Sequence, residues 1–301
     1  MTGTLLTARA KVESKNEDAG LMRRRRGVSK KLKTAAFHTA ASSLALLWAV
    51  PVAVVLMTAF RSVDELAQNG LASVPESFTL ESFAEAWEKG GLLQGLLNSF
   101  AVTIPTVAIS MALASLAAFG LSRYRIKYWK LILLVMLAGN LMPVQLTLVP
   151  VSRIMQTLGL YDQLAALVVV QVAFGIGFYT FVLYGFMRSI PFEIQDAAAI
   201  DGASPLRLFW QIILPLSRPS IAALSALSFT WVFNDLLWSL SLLISRSNLP
   251  ITASILTLRG EFFTSWSVIS AATVIAAIPC VVVFFIFQKS FIGGLTMGAV
   301  K

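Results

Sequence analysis

A carboxylate inside an apolar run is among the costliest groups a chain can carry, and Asn234 and Asp235 sit in such a run, TWVFNDLLW. At membrane depth an acid can bind a proton or a cation, or hydrogen-bond a polar solute. Three amides, Asn140, Gln145 and Gln171, interrupt other apolar stretches. Buried amides must find partners, so they either join neighbouring helices or face a watery cavity. These five residues are the candidate substrate pathway. Catalytic chemistry has no comparable footing. No GxxxxGK[ST] string cradles a phosphate, so the chain itself is not expected to bind ATP. The single histidine, His38, stands next to a basic stretch, and the single cysteine, Cys280, lies in the last apolar run. Neither metal-ligand spacing nor a Ser, His and acid grouping is present, and a single thiol makes no disulfide framework.

A second kind of chemistry is suggested by residues 190–215, IPFEIQDAAAIDGASPLRLFWQIILP, a polar stretch set between apolar ones. Pro191 suits a first helical turn, and Gly202 suits a helix stop because it enters the left-handed region without a Cβ clash. Ser204 can cap a second helix opened by Pro205. The expected unit is helix, glycine turn, helix. By helical spacing Ile194, Ala197, Ala198 and Asp201 share one face of the first helix, and Leu206, Phe209, Trp210 and Ile213 share one face of the second. The small face admits close approach by another surface, while the bulky face is expected to anchor the pair against its own protein or to insert into a pocket. Such a unit can dock a partner and transmit force.

The elements that must position these residues are membrane helices. Of 301 residues 57% are hydrophobic and 13% charged, with a mean hydropathy of +0.77, too little polar surface for a soluble globule. A crossing needs about 20 apolar residues. Six runs qualify, centred near Ala49, Ala112, Leu141, Val172, Leu227 and Ile278. They are continuous instead of alternating, so helices are expected in place of a barrel. The predicted fold is all-α, a six-helix transmembrane bundle. It divides into a basic tail (1–34), a first span (35–60), an external loop (61–95), a core (96–290, with the polar loop at 190–216) and a C-terminal tail (291–301).

The net charge of +9 is explained by where the cations stand. Arg23 to Arg26, Lys30, Lys31 and Lys33 precede the first span, and Arg123, Arg125, Lys127 and Lys130 separate the second from the third. Basic flanks stay on the cytoplasmic side. The segment 61–97 is instead rich in acids, as an outside loop would be. Six crossings then put both termini and the 190–216 loop in the cytoplasm. Basic residues are not interleaved with aromatics on a polar domain, so a nucleic-acid partner is not expected. Membrane lipid is.

The string DAAAIDGAS followed by IILP resembles the EAA loop of ATP-binding-cassette importer permeases. Asp196, Ala197, Ala198, Asp201, Gly202, Ala203, Leu214 and Pro215 occupy the motif positions, and Asp196 departs from the usual glutamate by one methylene. Asn98 and Ser99, the WVFND segment and the ending QKSFIGGLTMGAVK extend the resemblance over residues 96–301, toward the carbohydrate-uptake, maltose-permease-like branch. The resemblance implies a non-enzymatic permease subunit in a bacterial or archaeal cytoplasmic membrane. It implies four kinds of partner contact: a second permease, two copies of an ATPase that bind ATP and magnesium, an external solute-binding protein, and lipid. The solute implied is a sugar or oligosaccharide, and the loop with Leu206, Phe209 and Trp210 would couple ATPase closure to alternating access. The competing class is an ion-coupled secondary transporter, which would rest on Asp235 alone.

Overall fold

Long apolar stretches fold as helices here because each backbone amide then finds its partner within its own segment. In the computed structural model, residues 33–70, 73, 75–259 and 265–296 are described, with side chains described through residue 288. The basic tail before Lys33 and the last residues of the C-terminal tail lie outside the described residues. The chain divides into two units, Met1–Met57 and Thr58–Lys301. Helix α1 (Lys33–Ala59) makes up the described part of the first, and its Phe37, Leu46, Leu47 and Trp48 are exposed.

The second unit continues with α2 (Val63–Asn69), α3 (Glu81–Lys89), α4 (Leu92–Arg123), α5 (Trp129–Ala138), α6 (Leu148–Thr157) and α7 (Leu164–Ser189). There follow α8 (Phe192–Ile200), α9 (Pro205–Leu208), a π-helical turn (Phe209–Ile213), α10 (Leu214–Leu216), α11 (Arg218–Phe233), α12 (Leu237–Leu242), α13 (Ile251–Leu256) and α14 (Trp266–Thr296). Among the described residues there is no strand. Helix α4 packs along α7, and α11 packs against both α4 and α14. Glycine permits the closest of these approaches. At Gly177 of α7 a Cβ would stand 1.9 Å from the carbonyl oxygen of Met136, so α5 crosses α7 backbone to backbone.

Four described helices are long and apolar enough to cross a membrane: α1, α4, α7 and α14. A fifth is obtained if residues Pro205–Leu216 and Arg218–Phe233, bent by 72°, are counted together. The expected third span is not continuous. Helix α5 has 10 residues, after which the Asn140 and Leu141 amides donate within a turn to Leu137 and Ala138. Pro143 then precedes a 3-10 turn at Val144–Thr147. Pro143 lacks an amide and drives Met142 out of the helical region, which explains the break. The expected fifth span is broken too, between Phe233 and Leu237. There the Asn234 side-chain amide donates to the Thr230 carbonyl at 2.8 Å, and the Asp235 carboxylate accepts from the Ser239 amide at 3.2 Å. Short polar side chains that bond nearby main chain compete with the helix ladder.

One end of the bundle is tied by side-chain acceptors and donors together, with two carboxylates among them. Asp162, just before α7, adopts φ 61° and accepts from the Ile244 amide at 2.8 Å and the Ser245 amide at 2.9 Å, and from the Ser245 hydroxyl. Those bonds, led by the Ser245 hydroxyl, hold its pKa below the ordinary carboxylate value. Asn98 of α4 donates to the Ser247 and Leu249 carbonyls, and Ser99 accepts from the Ile251 amide. In the 61–82 segment, buried Arg61 pairs with Glu65 at 2.7 Å. Glu65 also accepts from the Glu76 amide, the foremost reason its pKa is lowered.

Candidate functional site

The 190–216 loop leaves the opposite end of the bundle from Asp162. Pro191 sits at the N-cap of α8, one residue ahead of the expected first turn, with ψ 139°. The helix closes on a Schellman turn. The Ala203 amide donates to the Ala198 carbonyl at 2.9 Å and the Gly202 amide to Ala199 at 3.1 Å, with Gly202 at φ +74°. That pair of bonds needs a left-handed residue at its centre, which glycine supplies without strain. Ser204 then accepts from the Arg207 amide at 3.3 Å, with Pro205 as the first residue of α9.

The bulky face of the second helix differs from the spacing expectation. Phe209 and Ile213 are buried, but Leu206 is 68% exposed and Trp210 59% exposed, while Leu208, not among the expected anchors, is buried. The cause is the π-helical turn, in which the Leu214 amide donates to the carbonyl of Phe209, five residues back. Each residue there advances through a smaller angle than in an α-helix, so Leu208 swings toward the Ile213 face and Trp210 away from it. Leu208, Phe209 and Ile213 therefore anchor the loop. They join Ala198, Met187, Leu183 and Ala118 in one apolar cluster, and the Phe209 ring lies 5.1 Å from that of Phe119 on α4. On the first helix only Ala198 is buried and Ile194 is half-buried; Asp196, Ala197 and Asp201 are exposed. Ile200, 87% exposed, is a third large apolar side chain left open on the loop, with Leu206 and Trp210. Ala203, Leu214 and Pro215 are half-buried at the loop's inner side.

Arg123, which the sequence pattern marks only as topological charge, and Arg188 hold the loop's root. Arg123, 5% exposed, donates to the Ile190 carbonyl at 3.1 Å and to the Met187 carbonyl. Arg188 donates to the Ser122 carbonyl at 3.1 Å. Both guanidinium groups lie over the ring of Phe192, the first residue of α8, at 5.0 and 4.9 Å. Helix α4 is thus fastened to the end of α7 and to the start of α8 at once. Periodicity carries no signal for such a clamp, because its acceptors are main-chain carbonyls.

The five pathway candidates lie on several elements of the bundle. Asn140 is exposed near the α5–α7 crossing, where its amide nitrogen would lie 3.3 Å from a Cβ at Gly177. Gln145 is exposed in the 3-10 turn and Gln171 half-buried on α7. Asn234 reaches the Cys280 sulfur of α14 at 3.4 Å. The half-buried Asp235 caps the first turn of α12, and its carbonyl accepts from the Thr252 hydroxyl at 2.8 Å. Among the described residues no three His, Cys, Asp or Glu are grouped to hold a metal ion.

Comparison with known proteins places this architecture. The diacetylchitobiose uptake system permease protein NgcG of Streptomyces coelicolor is 31% identical over 88% of this chain and 89% of its own length. The sulfoquinovosyl glycerol transport system permease protein SmoH of Agrobacterium fabrum is 30% identical over 87% of this chain and 92% of its own length. The fold matches a chain in the crystal structure of a bacterial ABC transporter involved in the import of the acidic polysaccharide alginate, with a TM-score of 0.75 and 20% identity. That match covers 87% of this chain and 98% of the other. A family model described as the inner membrane component of binding-protein-dependent transport systems matches residues 96–295, so the chain belongs to that family of importer permeases.

Proposed function

We propose that the chain is half of an ATP-driven import pore whose 190–216 loop docks on an ATPase subunit and converts its closure into alternating access. The observation that carries this is the two-sided loop: a Schellman turn and an anchored inner face present Ile200, Leu206 and Trp210 outward. Exposed apolar side chains on a rigid helix pair suit a groove on another protein. The partner ATPase, present in two copies, holds ATP and magnesium; a second permease completes the pore, and an external binding protein delivers the solute. Rigid-body motion of the docked helices passes to α4 through Arg123 and to α11 through Pro215 and the 72° bend.

The finer architecture follows the same reading. Six crossings are made by α1, α4, a broken third formed by α5 and the residues after it, α7, the α11–α12 pair, and α14. Arg123, Arg125, Lys127 and Lys130 then face the cytoplasm with the loop. The solute is a sugar or oligosaccharide, supported by the uptake systems of the relatives. The absence of Lys and Arg at the centres of the expected spans favours a neutral one, although the relatives' solutes include anionic ones. The candidate pathway residues are Asn140, Gln145, Gln171, Asn234 and Asp235.

The test is purification of the tagged chain from membranes in mild detergent, with mass spectrometry of what co-purifies and an ATPase assay on the eluate. A Walker-A ATPase and a second permease are expected. A lone chain without ATPase activity across several detergents would return the ion-coupled alternative at Asp235.

A further inference from the structure

Beside the loop's root, where α4 ends and α5 begins, lies a cleft of about 280 Å³ lined by Tyr124, Arg125, Lys127, Trp129, Tyr184 and Arg188, among others. Three cations converge on it, and none of its lining residues is acidic. Among the described residues none of the three forms an ion pair with a carboxylate, since the pairs found are Arg61–Glu65 and Lys89–Glu85. Arg123 brings a fourth positive charge to the same corner through the Phe192 ring it shares with Arg188. Clustered cations without a carboxylate partner make the cleft a favourable site for an anion.

Two features choose between kinds of anion. The cleft wall is aromatic, with Trp129 stacked on Tyr184 at 5.2 Å, the residue types that settle at the membrane–water boundary. From Trp129, helix α5 leads away with Leu131, Leu134 and Val135 exposed on one side. A soluble phosphate has no use for that apolar track. An acyl chain has. We propose that the cleft binds the phosphate headgroup of an anionic phospholipid, with Arg125, Lys127 and Arg188 around the phosphate and the lipid tail lying along α5. The assignment of the cleft to the cytoplasmic leaflet rests on the orientation proposed above, whereas the binding itself does not.

The test uses the full-length chain with its co-purifying subunits in nanodiscs of equal parts phosphatidylglycerol and phosphatidylcholine, followed by native mass spectrometry of the lipid retained. Both leaflets of a nanodisc have the same composition, so a wrong orientation leaves this result unchanged and is read separately, by labelling Arg125→Cys in a Cys280→Ala background from either side of sealed vesicles. Wild-type protein should retain phosphatidylglycerol in preference. The double variant Arg125→Gln, Lys127→Gln should lose that preference by roughly thirtyfold, the factor two juxtamembrane cations contribute. The charge-matched control Arg153→Gln, Arg259→Gln, at two exposed sites away from the 190–216 loop, should keep it. Equal retention in both variants would overturn the proposal. So would binding of inorganic phosphate by delipidated protein that fails to rebind phosphatidylglycerol.

Discussion

Carboxylates take part in fastening one end of the bundle and have no part in the clamp at the other. At the end carrying the 190–216 loop, charged donors reach main-chain carbonyls: Arg123 to Met187 and Ile190, Arg188 to Ser122. At the other end, carboxylates accept from main-chain amides: Asp162 from Ile244 and Ser245, Glu65 from Glu76. Helix direction accounts for the donors, since α4 and α7 both finish at the loop end, where carbonyls are left over and cations are favoured. Charge that reads in sequence as a sorting signal is, in the folded chain, also the end-cap of the helices it flanks.

The largest expected effect lies at the loop end. Phe209→Ala empties a site 2% exposed against Phe119 and should destabilise by about 3 kcal/mol, the low end for a buried aromatic. Trp210→Ala, one residue on but facing outward, should leave the thermal midpoint in detergent unchanged while reducing transport. If both substitutions unfold the chain equally, the two-sided loop is wrong.

Next in size is the donor clamp. Arg123→Met keeps much of the side-chain volume but strands the Met187 and Ile190 carbonyls, at a cost of about 2 kcal/mol for bonds to a charged donor. Arg123→Lys should recover only part of this, since an ammonium lacks the fork that spans two carbonyls and lies flat on Phe192. Thermal unfolding of the three proteins checks the order. Full recovery by lysine would mean that charge alone matters there.

Smaller still is the effect expected for Asp162→Ala at the acceptor end. Water can reach the freed amides of Ile244 and Ser245, because these bonds lie at an exposed position. A drop of a few degrees in thermal midpoint is expected, with faster hydrogen exchange confined to the 243–249 segment. Loss of the whole fold would make this end as deeply committed as the other and erase the contrast.

Much of this was legible in sequence, and the failures have physical causes. Gly202, Ser204 and Pro205 take the turn, cap and helix-start positions their chemistry predicts, because those preferences are local. The anchoring face was misassigned because one π-helical turn shifts every side chain after Phe209, and 3.6-residue spacing has no term for it. The broken third and fifth spans share one lesson. Hydropathy counts apolar residues, whereas Pro143 and Asp235 act through the main chain. Asp162 escaped notice for the same reason as Arg123: its partners are amides and a hydroxyl far along the chain, and neither periodicity nor motif points to them.

Acid provides the finest probe of the contrast, because only one end should respond. The lowered pKa values of Glu65 and Asp162 mean that the folded state binds their protons less readily than the unfolded state does. Their contribution is therefore complete above the ordinary values of 4.5 and 3.8 and is lost as pH falls through the lower folded values. Arginine does not titrate in this range, so the donor clamp at the loop end should be untouched. Hydrogen exchange from pH 6 downward, corrected for its intrinsic pH dependence, should show the Glu76, Ile244 and Ser245 amides opening first. The amides of α8 and of the Gly202 turn should keep their protection over the same interval. Simultaneous opening at both ends would mean that the acceptor end is no separate unit and that acid unfolds the bundle as a whole. Opening at the loop end first would place a titrating acid where the structure has only cations and carbonyls at the clamp.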